Sequence, residues 1–423
     1  MRFAWKRFDY YISKNKCKGD ACHRPFFSRG KSLINRPERQ LLLLCAYISP
    51  NPQVSDAAKQ IIQSNPQWSE TLSLANRWQV EAYLFHFINS QNLKKFVPES
   101  FWQSLQENYQ RQAMQTLLLK RQIQDLNHHF TQNNIPYCLI KGAETINTIY
   151  ADMPIRSMSD IDILCYPKDI DTIVKTLTQL GYFQKTMHQS NELQSIATYR
   201  KHFPAFFHNK RHTIEVHFNL FPGAHNQKDI TQEIWAHAAP IDHSSQFRMD
   251  VYHHLLYLCH HLAYHIQSPR EGLVLYWFFD IYHWLKQYQI SIDCPLFQSL
   301  NQDDRQRIEF IHHIIHNQWI KPEGLNHSFI NRDPSLAHIL DHHLKEKRID
   351  RKKRVLSYYW QVWCDKNPQW SYSEQLLYWF RLFFPQFSYL KDRYHVRHNW
   401  ALPLYCIGHP FIIIFRAIKR LMY

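Results

Sequence analysis

Glycine is scarce, with eight in 423 residues. That excludes a fold built on tight Gly-rich turns or small-residue repeats, and it favours helix-heavy architecture. A disulfide framework is also missing. The nine cysteines follow no framework spacing, and Cys45, Cys138, Cys165 and Cys259 sit inside apolar runs, as reduced and buried thiols of a cytoplasmic protein do. Cys17-x₄-Cys22-His23 is too incomplete for zinc. No uninterrupted apolar region follows the basic start, so no secretory leader is read there. Near the other end, Ala401 to Phe415 lacks Asp, Glu, Lys and Arg. It is shorter than the roughly 20 residues of a spanning helix, and Gly408 and Pro410 interrupt it.

Acidic residues are outnumbered, 35 against 50 Lys and Arg, for a formal charge of +15. The excess is uneven: residues 1–40 hold eleven Lys/Arg and three Asp/Glu, a net of +8. Such an arm suits nucleic acid or an anionic membrane, or is simply a solvated tail. Arg416, Lys419 and Arg420 follow the apolar 401–415 stretch, which reads as an interfacial anchor or a segment docked on the protein. These ends imply a cytoplasmic protein, peripheral at the inner membrane face. With 45% hydrophobic and 15% aromatic residues the chain buries real cores and is not disordered.

Four segments are expected. Residues 1–36 form a basic arm and 37–130 a helical region. In the latter, Gln40–Cys45 is apolar nearly all round, Ser55 precedes a helix to Ile62, Ser69–Leu72 opens another, and Phe101–Phe130 is one long helix carrying Leu117, Leu118, Leu119, Ile123, Leu126 and Phe130. Residues 131–245 alternate between strand and helix. Strands are expected at Tyr137–Ile140, Ile161–Cys165, Phe203–Phe207 and Thr213–Phe218, with helices at Lys141–Tyr150 and Pro167–Leu180, the second closed by Gly181. Residues 246–423 read as helical and aromatic, with helices at Asp250–Ile266 and Glu271–Tyr288, a break at Ser268-Pro269 and a charged loop at Lys345–Arg354.

The chemistry concentrates on Ser159-Asp160-Ile161-Asp162-Ile163-Leu164. Side chains alternate along a strand, so Asp160 and Asp162 project from one face while Ile161 and Ile163 turn to the other. Paired carboxylates repel unless a cation lies between them, which suits Mg²⁺. Glu215, in Thr213-Ile214-Glu215-Val216-His217-Phe218, is the best third carboxylate from a neighbouring strand. By parity His217 faces the same side. His254, His261 and His265 share helical spacing, but without a carboxylate or thiolate at ligand spacing they suit packing better than zinc.

Leu139-Ile140-Lys141-Gly142-Ala143, Arg156 to Leu164, Leu180-Gly181-Tyr182 and Ile214 to His217 together resemble the bacterial family called uncharacterised nucleotidyltransferase. That family belongs to the DNA-polymerase-β-like superfamily. The resemblance extends to Leu258–His265 and Phe279-Asp280, covering roughly residues 37–290. It implies an α+β fold, a mixed sheet flanked by helices, and transfer of a nucleoside monophosphate from an NTP to an acceptor hydroxyl. It further implies a two-ion Mg²⁺ site on Asp160, Asp162 and Glu215, with Lys141, Gly142, Arg156 and Ser159 at the nucleotide and His217, His261, His265 and Asp280 around them. The acceptor stays open between RNA, protein and small molecule. The superfamily's Gly-Ser is here Lys141-Gly142-Ala143, so the alternative is a catalytically inactive binding or adaptor protein that keeps the fold.

Overall fold

The computed structural model describes residues 36–184, 202–220, 230–267, 273–300 and 302–320, short stretches between 335 and 341, and much of 380–422. The basic arm, Ser268-Pro269, Glu271 and the 345–354 loop lie outside the described residues. The described residues up to 183 and from 202 to 341 belong to one compact unit, and those from 380 to 422 to another.

In the first unit four helices lead in: α1 (Pro37–Leu44), α2 (Pro52–Gln63), α3 (Trp68–Trp78) and α4 (Glu81–Ser90). Leu41 to Leu44 in α1 are at most 2% exposed, as an all-round apolar run requires. Helix α2 starts at Pro52 rather than after Ser55, because Asn51 caps it: its Oδ1 accepts from the Val54 amide at 3.0 Å. Next comes α5 (Glu99–Gln132), 34 residues and about 51 Å long at 1.5 Å per residue. Leu119 is buried in it, whereas Leu117 and Leu118 are 63% and 52% exposed. Three consecutive residues sweep about 200° of a helix at 3.6 residues per turn, so one apolar stripe cannot hold all three.

The α/β part then runs β1 (Tyr137–Leu139), α6 (Lys141–Thr148), β2 (Asp160–Cys165), α7 (Ile170–Gln179), β3 (Thr213–His217), α8 (Ile230–His237), β4 (Ala239–Pro240) and β5 (Gln246–Arg248). A 3₁₀ turn at Pro167–Asp169 precedes α7, and Gly181 closes it at φ +85°. The strands form one mixed sheet in the order β3-β2-β1-β5-β4. β1 pairs antiparallel with β2 and parallel with β5, and β2 pairs parallel with β3. The expected strand at Phe203–Phe207 is instead a set of single bridges, His202 to His217, Phe206 to Ile214 and Phe183 to Phe207. Pro204 has no amide hydrogen and interrupts a ladder. β5 lies past the expected end of the α/β segment at residue 245, yet it is an inner strand of the sheet, between β1 and β4. Helices α9 (Val251–Gln267), α10 (Tyr276–Tyr288) and α11 (Gln302–Ile315) follow the sheet, giving an α+β arrangement of a mixed sheet flanked by helices.

Ile161, Ile163, Ile214 and Val216 are fully buried. Each such side chain contributes roughly 1.5–3 kcal/mol of burial. Their carboxylate neighbours must therefore take the opposite face. Cys45, Cys138, Cys165 and Cys259 are buried free thiols.

Glu144 in α6 is 2% exposed, and burial, against the pull of Arg248, lifts its carboxyl to about 7. Raised above the unfolded value, this group contributes stability at acid pH that is lost as pH rises through 7. Glu144→Gln should therefore gain midpoint temperature over the wild type at pH 8 and not at pH 4. Equal shifts at both pH values would remove Glu144 as the cause.

In the second unit, α12 (Phe387–Tyr394) packs on α13 (Leu402–Met422). The expected interruption at Gly408 and Pro410 does not occur: α13 continues through Pro410. A proline inside a helix costs about 3 kcal/mol. Offsetting contacts flank it. Leu390, Val396 and Leu402 form a core, Tyr405 stacks on Tyr394, and the Tyr394 hydroxyl lies 2.6 Å from His409 Nδ1. Among the described residues no helix is long and apolar enough to cross a membrane.

Candidate active site

The parallel register of β2 and β3 sets Asp160 beside Thr213 and Asp162 beside Glu215. Two carboxylates on adjacent strands in register meet at close range, and strand parity brings Asp160 to the same face. The His217 ring is fully buried, with Nε2 2.7 Å from Asp162 Oδ1 and 3.6 Å from Glu215 Oε2. Among the described residues, Asp162, Glu215 and His217 make the one group of three whose ligand atoms all lie within 4.8 Å. Asp160 lies outside that group. It is the first residue of β2, half-buried, and its Oδ1 accepts a 3.0 Å hydrogen bond from Ser159 Oγ.

Lys141 reaches this cluster from the start of α6. Its backbone takes the left-handed conformation, φ +50°, and Nζ donates to Asp162 Oδ1 at 2.6 Å. Burial alone would raise the Asp162 carboxyl, but Lys141 and the hydrogen bond from His217 hold it well below the usual range. The His217 hydrogen bond likewise lowers Glu215 against its burial. Asp160 is shifted up, first by burial and then by the charges of Asp162 and Glu215. Three carboxylates thus crowd one face with a single ammonium among them. That donor set fits a divalent cation with oxygen ligands, with His217 serving as a hydrogen-bond donor that orients Asp162.

Arg156, expected at the nucleotide phosphates, is committed elsewhere. Its Nε and Nη2 donate to Asp280 Oδ2 at 3.1 and 2.9 Å, and Nη1 donates to the Ser157 carbonyl at 2.9 Å. The guanidinium also lies over the Tyr276 ring, 4.4 Å from its centroid. Arg156 and Asp280 are 6% and 1% exposed, so this is a buried lock between the approach to β2 and helix α10. Gly142 is where that lock touches α6: a Cβ there would collide with the guanidinium. The glycine allows the helix start and the lock to meet.

His261 and His265 stand ring to ring, centroids 4.5 Å apart, and both pack on Trp277. They join an aromatic cluster, and His254 is not with them: it is fully buried against Trp284, and burial lowers it to about 3. The sequence pattern does not single out one further neighbour. Tyr257 on α9 faces Lys141 closely enough to perturb it. Only the packing of α9 on α6 brings the two together, and no local pattern signals it.

A mixed five-stranded sheet, carboxylates in register on its β2 and β3 strands and a basic residue opening the helix after β1 define a protein of the nucleotidyltransferase class. The chain belongs to the family described as uncharacterised nucleotidyltransferase, which it matches over residues 64–316. At that level it is a nucleotidyltransferase-type transferase. No curated protein and no solved structure matches it.

Proposed function

We propose that the chain transfers a nucleoside monophosphate from an NTP to an acceptor hydroxyl in a Mg²⁺-dependent reaction. The observation that carries this reading is the register pair Asp162–Glu215 with Asp160 on the same face and Lys141 between them and α6. Asp160, Asp162 and Glu215 would hold Mg²⁺, which supplies charge neutralisation and a lowered pKa for the attacking hydroxyl. Lys141 and the first amides of α6 receive the triphosphate. Glu215, whose side chain is 27% exposed, would take the acceptor's proton. His217 fixes the orientation of Asp162. The test is incubation with each labelled NTP, Mg²⁺ and candidate acceptors. Product formation that survives Asp160→Ala/Asp162→Ala would show the chemistry to lie elsewhere.

A second reading has its own observation. The Lys141 ammonium already pairs with Asp162, so that carboxylate has its counter-charge without a metal, as in an inactive binding protein that keeps the fold. This reading expects no Mg²⁺-dependent NTP binding by calorimetry; such binding, lost in Asp162→Asn, would count against it.

The partner at the other end is proposed to be an anionic membrane surface. Leu404, Ile407, Phe411 and Phe415 follow one another at helical spacing along α13 and are 64–70% exposed. From Arg393 to Tyr423 there are five Lys/Arg and no Asp or Glu. Apolar side chains along a basic helix suit an interfacial position. Leu404→Ser/Phe411→Ser should lower the affinity for anionic vesicles in co-sedimentation by at least about a hundredfold, the order expected from removing two buried apolar side chains at roughly 1.5–3 kcal/mol each. Full-length protein that never pellets with such vesicles at low salt would sink the idea.

A further inference from the structure

A trough of about 720 Å³ lies between α5 and the 208–213 turn. Ser159 and Thr213 belong to its lining. Ser159 Oγ donates to Asp160, and Thr213 is the register partner of Asp160, so the trough ends at the first of the carboxylates.

The trough is built rather than incidental. Gln122 of α5 is 4% exposed and clamps the turn: its Nε2 donates to the His212 carbonyl at 2.8 Å and its Oε1 accepts from the His212 amide at 2.9 Å. Three cations line it, Arg121, Lys210 and Arg211, against one carboxylate, Asp125. Asp125 bridges the two walls, with Oδ1 3.2 Å from Arg121 Nε and Oδ2 3.1 Å from Arg211 Nη1. Each guanidinium keeps donors free of that contact, and the Arg121 side chain is 74% exposed. Lys210 is exposed and has no carboxylate partner among the described residues. Leu118 lines the same trough and, with Met114 and Leu117 on the same helix, leaves apolar surface more than half exposed.

Cations gathered around Asp125 in an open groove, with the bare apolar side chain of Leu118 beside them, suit a strand that carries both phosphates and bases. We infer that the trough binds the backbone phosphates of a single-stranded nucleic acid whose 3′ end reaches Asp160, so that the acceptor is a nucleic-acid hydroxyl. The phosphates lie on Arg121, Lys210 and Arg211, and the bases lie against the apolar side chains of α5. The chain's +15 charge attracts the strand from a distance. This assignment rests on the transfer reading above, but binding can be measured apart from it.

The experiment is fluorescence anisotropy of the full chain with a labelled single-stranded RNA of about ten nucleotides and a free 3′ hydroxyl, without NTP or Mg²⁺. Binding should weaken with salt at a log–log slope of about −2, as three phosphate contacts on a single strand predict. Arg121→Glu/Lys210→Glu, both at exposed positions, should weaken it at least tenfold and flatten the slope, while circular dichroism stays unchanged. Lys210→Gln should give a smaller loss in the same direction, and Lys168→Glu, on another surface, none. Asp162→Asn should bind RNA as the wild type does, which separates failure of the chemistry from failure of this site. The assignment falls if the double variant binds like the wild type, because basic residues elsewhere would then carry the RNA. It falls equally if RNA does not bind at low salt, or if a phosphopeptide displaces it at comparable concentration.

Discussion

Asp162→Asn is expected to cut NTP turnover by about a thousandfold, the rate equivalent of roughly 4 kcal/mol of charge stabilisation. Asp162 is the carboxylate on which Lys141, His217 and the Glu215 register converge. Asparagine keeps the shape and an acceptor oxygen, so loss of activity with retained fold isolates the charge. Asp162→Ala should do more. It leaves the Lys141 ammonium, 13% exposed, without its carboxylate, and breaking a buried pair in this way costs about 3–5 kcal/mol. The pH dependence has a definite sign. The folded carboxyl is held below its unfolded value, near 3.9, so its contribution is complete above that pH and disappears as pH falls further. The wild type should therefore lose stability on acidification more steeply than Asp162→Asn. Parallel acid-unfolding curves would show that Asp162 is not held in this way, and unchanged turnover would displace it from the chemistry.

Asp280→Ala should lower stability by about 3–5 kcal/mol, because it strands the Arg156 guanidinium in a buried site. Burial shifts Asp280 up even with Arg156 beside it, so the pair is costly to bury and more costly to halve. Replacing both partners together, Arg156→Met with Asp280→Leu, should restore much of the loss, since no orphan charge remains. The two outcomes are read from denaturant midpoints at constant slope. A double variant as unstable as Asp280→Ala would place the loss in the Tyr276 and Gly142 contacts rather than in the uncompensated charge. The same lock should matter for nucleotide affinity, because the guanidinium sits against Gly142 at the start of α6.

Alternation on β2 made the Asp160–Asp162 face legible, and period two on β3 put Glu215 and His217 on one side. These are local rules, and a strand obeys them wherever it is placed. Glycine's left-handed turn at Gly181 and the all-round burial of α1 were legible for the same reason. The apolar run at 203–207 resembles a strand in sequence, but its proline cannot donate to a ladder, and only single bridges form there. Leu117, Leu118 and Leu119 read alike as part of one helical pattern, whereas the angular spacing of α5 buries Leu119 and turns Leu117 and Leu118 outward. The helix through Pro410 needed the contacts of α12 before its cost could be met.

The sequence by itself determined the fold class and the residues that carry charge at the site, because periodicity and motif order are written in the chain. Tertiary structure alone decided the use of those charges. Asp162 rather than Asp160 became the centre, since the β2–β3 register and the reach of Lys141 converge there. Arg156 went to Asp280, 124 residues away, because a buried guanidinium must find a carboxylate and α10 supplied one. No local pattern encodes a contact between such distant segments; only the packing of helices on the sheet creates it.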